Sequence, residues 1–167
     1  MIVTNLSDID RNWVRDRTEL LFGGDVVVSR DIVHQPADLP GFICAEGNER
    51  IGLATFKVTG HECELVTLDA LCQWCGVGTA LLDAVEKAAV AEGCTTLWMI
   101  TTNDNIDGLR FFQRRGFQIT VIRPNGMQAI RKMKPDMPEI GHYGIPVRDE
   151  IELTKVLDQE APGWRVV

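Results

Sequence analysis

The first 70 residues alternate apolar and polar positions in short stretches, which is the pattern of strands buried on one face. These stretches are bounded by turn residues, and one helix follows the first of them. The predicted strands cover residues 2–6, 41–45, 50–58 and 62–68, and the helix carries apolar residues at 13, 14 and 20–22. Residues 26–33 are β-branched but interrupted by polar side chains, so a loop and a short strand both stay open there. The consecutive strands predict an antiparallel meander.

From residue 79 onward, helices and strands alternate. Leu81, Leu82 and Val85 recur at helical spacing over 79–92, and Gly93 ends that helix. The remaining pattern predicts further strands and helices, with strands over 96–101, 117–122 and 150–153 and helices over 107–115 and 127–134. Strands joined through a helix imply a parallel pair. We therefore predict a three-layer α/β domain, with a mixed, mostly antiparallel central sheet, a central parallel strand pair and helices on both faces.

Length and composition indicate one globular domain. The chain has 167 residues, of which 45% are hydrophobic and 25% charged, and these fractions argue against disorder, collagen and coiled coil. We place the domain over residues 1–157. The tail 158–167 has no periodicity, so disorder and docking onto a partner both stay open for it. The start of the chain does not resemble a signal peptide, and no apolar run approaches about 18 residues, which predicts a cytoplasmic protein outside the membrane.

The charge balance disfavours one class of partner and leaves room for another. With 17 basic and 24 acidic residues the formal net charge is −7, which argues against a protein that tracks nucleic acid. The charge is uneven, because residues 105–134 carry seven basic residues and one acidic residue. That segment could offset one specific polyphosphate, while the acidic flanks would attract a cationic partner.

The five cysteines are an odd number scattered along the chain, which is not a disulfide framework and suits a reducing compartment. Cys72 and Cys75 have the two-residue spacing of a redox or half-zinc site. A zinc site needs a second pair of ligands, and the histidines are scattered singly. We therefore interpret the pair as incidental loop cysteines, expect no metal, and keep a redox function as the minor alternative.

A glycine-containing turn between the strand over 62–68 and the helix over 79–92 is the first candidate for chemistry. Glycines let backbone N–H groups approach an anion, and the first helical turn adds unpaired donors and a positive dipole end. The spacing excludes a dinucleotide fingerprint, since its third glycine would fall at Leu81, and a Walker loop, since no Gly-Lys-Ser/Thr follows. The turn consists of Gln73, Trp74, Cys75, Gly76, Val77, Gly78 and Thr79.

Two motifs at a suitable separation carry a family resemblance. Gln73 begins the pattern Gln-x-x-Gly-x-Gly, and residues 105–117 follow a strand as Asn-Ile-Asp-Gly-Leu-Arg-Phe-Phe-Gln-Arg-Arg-Gly-Phe. The first resembles the pyrophosphate motif of the GNAT superfamily of acetyl-CoA-dependent N-acetyltransferases, and the second resembles its Asn-x-x-Ala-x-x-x-Tyr motif followed by Gly-Phe. The resemblance covers residues 2–157 in element order and implies a GNAT-like sheet. Residues 101–105 and 144–150 resemble those of a bacterial subgroup of this family without an assigned substrate.

The resemblance implies where acetyl-CoA, the expected co-substrate, would bind. The strand end at Leu68 and Ala70 would pair with the pantetheine arm, and the Leu68 N–H would donate to the acyl carbonyl like an oxyanion hole. The amides of residues 75–79 would bind the pyrophosphate, with Gln73 and Trp74 beside them.

The second motif contributes Asn105 and Phe112 to the implied coenzyme site. Asn105 would help to position the coenzyme near the thioester. Phe112 stands where the family has a tyrosine that returns a proton to the departing thiolate, and Gly108 replaces the motif's alanine. Because a thiol of pKa ~8.5 leaves tolerably as an anion, the change does not exclude catalysis. The only tyrosine in the chain, Tyr143, would substitute if its loop folds over the site.

An alkylamine acceptor needs a base, because with a pKa near 10 it is protonated at pH 7. Relatives often carry a catalytic glutamate on the strand before the turn, where Glu62 and Glu64 are expected on one face together with Leu68. Asp69 is expected on the opposite face. For both glutamates a solvated strand start stays open as the alternative, and His142 is a further candidate.

The leading hypothesis is an enzyme that transfers an acetyl group from acetyl-CoA to a primary amine by direct attack in a ternary complex. The expected acceptor is a small molecule. A non-catalytic acyl-CoA sensor or interaction module is the alternative, which the absent tyrosine motivates, and a redox protein is the third. Both a monomer and a homodimer stay open.

Overall fold

Nine strands and four α-helices make up the part of the chain that the computed structural model describes, residues 1–157. In chain order they are β1 (Ile2–Asn5), α1 (Arg11–Phe22), β2 (Val27–Ser29), β3 (Ile32–His34), β4 (Gly41–Glu46), β5 (Glu49–Thr59), β6 (Glu62–Ala70), α2 (Val77–Ala91), β7 (Thr96–Thr102), α3 (Ile106–Gln113), β8 (Gln118–Arg123), α4 (Met127–Met133) and β9 (Glu150–Val156). The predicted tail 158–167 lies outside the described residues.

Seven of the strands form one mixed sheet in the order β1-β4-β5-β6-β7-β9-β8, and β2 pairs with β3 separately. Neighbours in the large sheet are antiparallel except β6 and β7, which are parallel. This confirms the predicted fold class, including the central parallel pair. Within residues 1–157, no helix is both long enough and apolar enough to span a bilayer.

The segment 26–33, which the sequence left open, folds as a tight hairpin. Ser29 pairs with Ile32, so the connection has two residues. Both of them, Arg30 and Asp31, have positive φ angles of 46° and 61°. Two consecutive positive φ angles match the strand twist of a two-residue hairpin, but neither residue is the glycine that usually marks such a turn.

The two faces of the sheet are covered by different helices. α2 buries Leu81, Leu82 and Val85 against one face, as their spacing predicts. Gly52 of β5 permits a close approach there, because a Cβ at this position would lie 2.5 Å from a methyl group of Val77. α1 packs Val14 onto the opposite face in a second apolar cluster. We refer to these as the α2 face and the α1 face.

A β-bulge in β6 changes which side chains share a face. Phe56 of β5 pairs with Leu65, but the preceding Thr55 pairs with Thr67, so Val66 is an extra residue. Directly opposed residues of an antiparallel pair point to the same face, which moves every later side chain of β6 to the other face.

The predicted placement of Leu68 and Asp69 is therefore wrong. Leu68 belongs to the α2 face, where it packs on the main core. Asp69 shares the α1 face with Glu62 and Glu64, and it accepts a hydrogen bond of 2.8 Å from Arg17 of α1.

The parallel pairing of β6 with β7 ends early and leaves a wedge. It comprises three residue pairs, the last of which joins Glu64 to Trp98, although β6 continues to Ala70 and β7 to Thr102. We call the opening between these strand ends the wedge. Because β6 keeps its antiparallel partner β5 on the other side, only the edge toward β7 lies open.

Candidate active site

The backbone of β6 directs polar groups into the wedge. The N–H of Leu71 donates to the carbonyl of Ile51 in β5 at 2.9 Å. Successive residues of a strand direct their N–H and C=O groups to alternate edges. The groups of Leu68 and Ala70 therefore point away from β5 and into the wedge, where the sequence placed the pantetheine arm.

The opposite wall of the wedge is the end of β7. Residues can be counted along both strands from the Glu64–Trp98 pair, leaving out the bulged Val66. Leu68 then corresponds to Thr101, and Asp69 to Thr102. The carboxyl ends of both strands thus open at the same side of the sheet. The chain after β7 leads directly into Asp104 and Asn105.

Helix α2 begins shortly after β6 ends. The first N–H groups of the helix have no hydrogen-bond acceptor within it. The first helical bond runs from the N–H of Ala80 to the carbonyl of Gly76, so residues 77–79 have no intrahelical acceptor. Gly76, with a φ of 82°, turns the chain into the helix. Free amides and the positive helix end make a place for an anion.

Two arginines around α3 flank this helix start. The guanidinium of Arg110 lies 5.2 Å from the ring centre of Trp74, a residue that is 76% exposed. Arg115 stacks at 3.7 Å on the Phe111 ring and hydrogen-bonds the hydroxyl of Thr79. Part of the basic excess of residues 105–134 is therefore at the predicted pyrophosphate turn.

Gly78, in the first turn of α2, also packs against α3. A Cβ at this position would lie 3.3 Å from two ring atoms of Phe111, and there is no positive φ to forbid a larger residue. Because helix side chains lean toward the amino end, a side chain here would lie between the first turn of α2 and the Phe111 ring. The remaining predicted turn residue, Gln73, is exposed in the preceding loop.

The turn contains one feature that the sequence interpretation missed. Cys72 and Cys75 form a disulfide, with their Cα atoms 5.7 Å apart, so these two loop cysteines are paired rather than free. Cys44 and Cys63 are buried free thiols, and burial raises the pKa of Cys63 to about 12. Within residues 1–157 no group of three or more His, Cys, Asp or Glu side chains is arranged to hold a metal ion.

Asn105 caps α3 and is held from two sides. Its Oδ1 accepts the N–H of Gly108 at 3.1 Å, and its Nδ2 donates to the hydroxyl of Thr101 at 2.9 Å. A Cβ at residue 108 would lie 2.7 Å from the Cγ of Asn105. The glycine that departs from the family motif is therefore what admits this side-chain position.

Phe112 is inside the core rather than at the wedge surface. It is 4% exposed and packs edge-on against the rings of Phe111 and Phe117, at centroid distances of 5.1 and 5.3 Å. In this position it offers almost no surface to a coenzyme, so this packing does not support the predicted contact.

Tyr143 reaches the first turn of α3 from the loop before β9. Its exposed hydroxyl donates to a carboxylate oxygen of Asp107 at 2.6 Å, and this hydrogen bond raises the pKa of the tyrosine. The backbone of Tyr143 has a positive φ of 59°. The structure thus brings the side chain to the helix that begins at Asn105.

Glu64 lies at the closed end of the wedge and is enclosed by residues of the β2–β3 hairpin. Its carboxylate accepts a hydrogen bond from the hydroxyl of Ser29 and lies 3.0 Å from Nε2 of His34. All three side chains are buried. The sequence pointed to Glu64 but not to its partners, because the hairpin itself was not predicted.

Glu62 is more open and lies beside a small cavity. Its carboxylate is 3.6 Å from Arg30, whose guanidinium stacks at 3.7 Å on the ring of Trp98. A cavity of about 100 Å³ is lined by these groups together with His34 and Glu64. The two predicted glutamates therefore share one face and one cavity, at the closed end of the wedge.

Arg30 and Arg123 neutralise buried acids of β9 on the same face. Burial acts to raise the pKa of Glu152, but hydrogen bonds from both arginines outweigh it and hold the pKa below its ordinary value. Burial raises the pKa of Glu150, and the ion pair with Arg123 offsets this rise only in part.

A second enclosed carboxylate lies at the carboxyl end of β7. Asp104 is 3% exposed and accepts hydrogen bonds from the hydroxyl of Thr102 and from the backbone N–H of His142, the latter at 3.0 Å. Its Oδ2 is also 3.0 Å from Nδ1 of the His142 ring. Burial acts to raise the pKa of Asp104, but these hydrogen bonds outweigh it and lower the pKa.

Comparison with known proteins identifies the arrangement. The model of the acetyltransferase (GNAT) family matches residues 7–117. The uncharacterized protein YdhI of Bacillus subtilis (strain 168) is 35% identical over 159 residues, which are 95% of this chain and 99% of that protein.

Two solved structures share the fold. The IAA acetyltransferase from Bacillus cereus ATCC 14579 has a TM-score of 0.74 at 20% identity, over 93% of this chain and 99% of that one. A GNAT family acetyltransferase from Elizabethkingia anophelis with acetyl-CoA bound has a TM-score of 0.68 at 23% identity, over 93% and 97%.

Proposed function

The chain belongs to the GNAT acetyltransferase family, and from this premise we propose that it transfers an acetyl group from acetyl-CoA to a primary amine by direct attack in a ternary complex. The observation that carries the proposal is the wedge, with the backbone groups of Leu68 and Ala70 directed into it and the amino end of α2 close by. An extended, amide-bearing arm ending in a pyrophosphate has the chemistry that both features bind.

The coenzyme lies with its pyrophosphate at the turn and its thioester in the wedge. The amides of residues 75–79 hold the pyrophosphate, with Gln73 and Trp74 beside it, and Arg110 and Arg115 supply positive charge. The pantetheine amides pair with the open edge of β6 as a short strand would. Asn105, fixed by its cap, borders the thioester end.

The Leu68 N–H supplies the main electrostatic stabilisation. A donor aimed at the carbonyl oxygen of the thioester gains strength as that oxygen becomes an oxyanion in the tetrahedral intermediate. Phe112 cannot donate a proton to the departing thiolate. Tyr143, whose hydroxyl is exposed beside α3, is the group proposed to do so.

The acceptor approaches from the α1 face, where Glu62 and Glu64 favour a small cationic amine while Asp69 is already paired with Arg17. Glu64 and Glu62 stand four and six residues before Leu68, and one of these is the bulged Val66, so they lie roughly 10 and 17 Å back along the strand at about 3.3 Å per paired residue. At that separation either carboxylate acts on the amine through water and through its charge.

Coenzyme binding is tested with Gly78→Glu, which places a negative side chain in front of the α2 amides. We expect calorimetry to show loss of acetyl-CoA binding, whereas Gly24→Glu, the same change beside Lys134 in the segment after α1, keeps wild-type affinity. Wild-type affinity in Gly78→Glu would show that the pyrophosphate binds elsewhere.

Turnover is tested by release of free thiol from acetyl-CoA with spermidine, tryptamine, lysine and an aminoglycoside as acceptors. Glu62→Gln and Glu64→Gln are expected to lower the rate at pH 7, where the amine is protonated and needs a base. A non-catalytic acyl-CoA sensor is the second candidate, favoured by the burial of Phe112 where the family has a tyrosine. Acetyl-CoA binding without turnover of any amine would support the sensor.

A further inference from the structure

We propose that the His142 imidazole, held by the buried carboxylate of Asp104, takes the proton from the acceptor amine. The inference rests on the proposed function, which needs a base but derives none near the thioester. It assigns a catalytic role to His142 and a positioning role to Asp104.

The first support is position along the strands. Counting along the two strands from their last pair, Glu64 and Trp98, matches Leu68, the proposed oxyanion donor, with Thr101, and Asp69 with Thr102. Thr102 pairs with Glu150, and its face is the α1 face, from which the acceptor approaches. Its hydroxyl binds Asp104, which in turn binds His142. The imidazole is therefore attached to the wall of the wedge at the height of the thioester, while Glu62 and Glu64 lie at the closed end.

The second support is the chemistry of the pair. An ionised carboxylate only accepts hydrogen bonds, so Nδ1 of His142 must be the nitrogen that carries the hydrogen toward Asp104. In the neutral ring Nε2 is then left as a proton acceptor. The side chain of His142 is 68% exposed whereas that of Asp104 is buried. A buried carboxylate that orients an exposed imidazole is the arrangement that prepares a histidine for general-base catalysis.

The loop before β9 is shaped to bring the pair together. A Cβ at Gly141 would lie 2.6 Å from the Cγ of Asp104, so a glycine is needed where the loop crosses the carboxylate. A bridge between Ile140 and Pro146 closes the loop on itself. The adjacent Tyr143 fastens the same loop to Asp107 of α3.

The charged groups around the imidazole favour an ammonium as its partner. Asp104 contacts the ring directly, and Asp107 lies beside the neighbouring Tyr143. On the positive side, Arg110 of α3 acts on Tyr143, and Arg148 of the same loop is paired with Asp149. The carboxylates next to the loop would hold a cation near Nε2.

The proposed step balances in protons and bonds. Nε2 removes one proton from the ammonium, and the free amine attacks the thioester carbon. A C–N bond forms and the C–S bond breaks, with the electron pair leaving on the coenzyme sulfur. Tyr143 donates its proton to the thiolate and regains one from the attacking nitrogen, so the products are the amide, free coenzyme thiol and a protonated imidazole that returns its proton to water.

The test compares His142→Asn with wild type, using the best acceptor from the amine panel. The asparagine amide can still donate to Asp104 from the position of Nδ1, but it cannot take a proton. We expect kcat/KM to fall by about 10²- to 10⁴-fold with unchanged acetyl-CoA affinity. The wild-type loss of activity at acid pH, where histidines gain a proton, should disappear. His61→Asn, at an exposed histidine on another loop, is the matched control and should behave as wild type.

Two further measurements distinguish a catalytic base at His142 from a side chain that only supports the loop. An aromatic amine, which carries no proton at neutral pH, should reduce the difference between His142→Asn and wild type to less than tenfold. Asp104→Asn should weaken the acid limb of the pH profile and lower kcat more than it changes KM. Turnover by His142→Asn within threefold of wild type, or an equal deficit with both kinds of amine, would overturn the inference. Absence of turnover in wild type would instead overturn the proposed function.

Discussion

Replacing Gly108 by alanine tests how the cap of α3 is held. Asn105 is bonded to the N–H of Gly108 and to the Thr101 hydroxyl, and a Cβ at residue 108 would lie 2.7 Å from its Cγ. Two carbon atoms that are not bonded do not approach so closely. In Gly108→Ala the Asn105 side chain must therefore rotate away and release its cap.

Two effects of similar size then oppose each other. Losing an N-cap costs about 1 kcal/mol, and alanine in place of glycine within a helix stabilises by about 1 kcal/mol. Gly108→Ala should therefore unfold with nearly the wild-type free energy. Asn105→Ala loses only the cap, so it should be less stable by about 1 kcal/mol, or ~2–4 °C in Tm for a chain of this size. The double variant has no cap left to lose and should return close to wild type.

Urea unfolding of the four proteins, followed by circular dichroism, gives the coupling between the two positions. We expect about 1 kcal/mol, because the same cap is removed by either change. Both single variants should also lose acetyl-CoA affinity to the same extent. The reasoning is refuted if Gly108→Ala alone is about 1 kcal/mol more stable than wild type and the two changes add, since Asn105 would then have kept its place.

Three more results are expected. Asp104→Asn should lower the free energy of unfolding at pH 7 and have less effect at pH 3. A carboxylate whose pKa is lowered on folding stabilises the fold above its ordinary pKa of 3.8 and loses that contribution as the pH falls. Urea unfolding at both pH values measures the difference, and an equal loss of stability at both would contradict the prediction. Iodoacetamide at pH 8 should leave Cys63 unmodified in the folded protein, since burial raises the pKa of the thiol to about 12; mass spectrometry with a urea-unfolded control checks this. Cys72→Ser should weaken acetyl-CoA binding by at most about 30-fold, the equivalent of about 2 kcal/mol of loop ordering for so short a ring; a larger loss of affinity by calorimetry would contradict this.

The helices and strands were predictable because their patterns are local. The spacing of Leu81, Leu82 and Val85 defines the buried face of α2 wherever the helix packs. The short apolar stretches of the first 70 residues likewise needed only their neighbours. The turn at residues 73–79 was recognisable for the same reason, since its glycines and the helix that follows are adjacent in sequence.

What the sequence did not show depends on contacts between distant residues. One extra residue at Val66 reverses the side-chain phase of β6, and nothing in the alternation of Glu62 to Asp69 reveals a bulge. The hairpin that brings Ser29 and His34 to Glu64 has no glycine in its turn, although glycine is the usual sequence signal of such a turn.

The pairing of Asp104 with His142 joins residues 38 positions apart. It follows from the sheet order, because β9 runs beside β7 and its preceding loop must cross the β7 end. The spacing of Cys72 and Cys75 had singled them out, but an odd count of scattered cysteines argued against a disulfide framework. For the bulge, the hairpin and the Asp104–His142 pair, the missing information was a neighbour in space.

The wedge between β6 and β7 also has a consequence for how much folded protein a cell would hold. An open strand edge inside a sheet is a place where pairing is unfinished, and such edges invite wrong partners. A coenzyme bound as proposed would complete that edge and bind only the folded chain. Its presence at 100 times its Kd would add about 2.7 kcal/mol to the free energy of unfolding. The abundance of this protein, as well as its rate, would then follow the supply of acetyl-CoA.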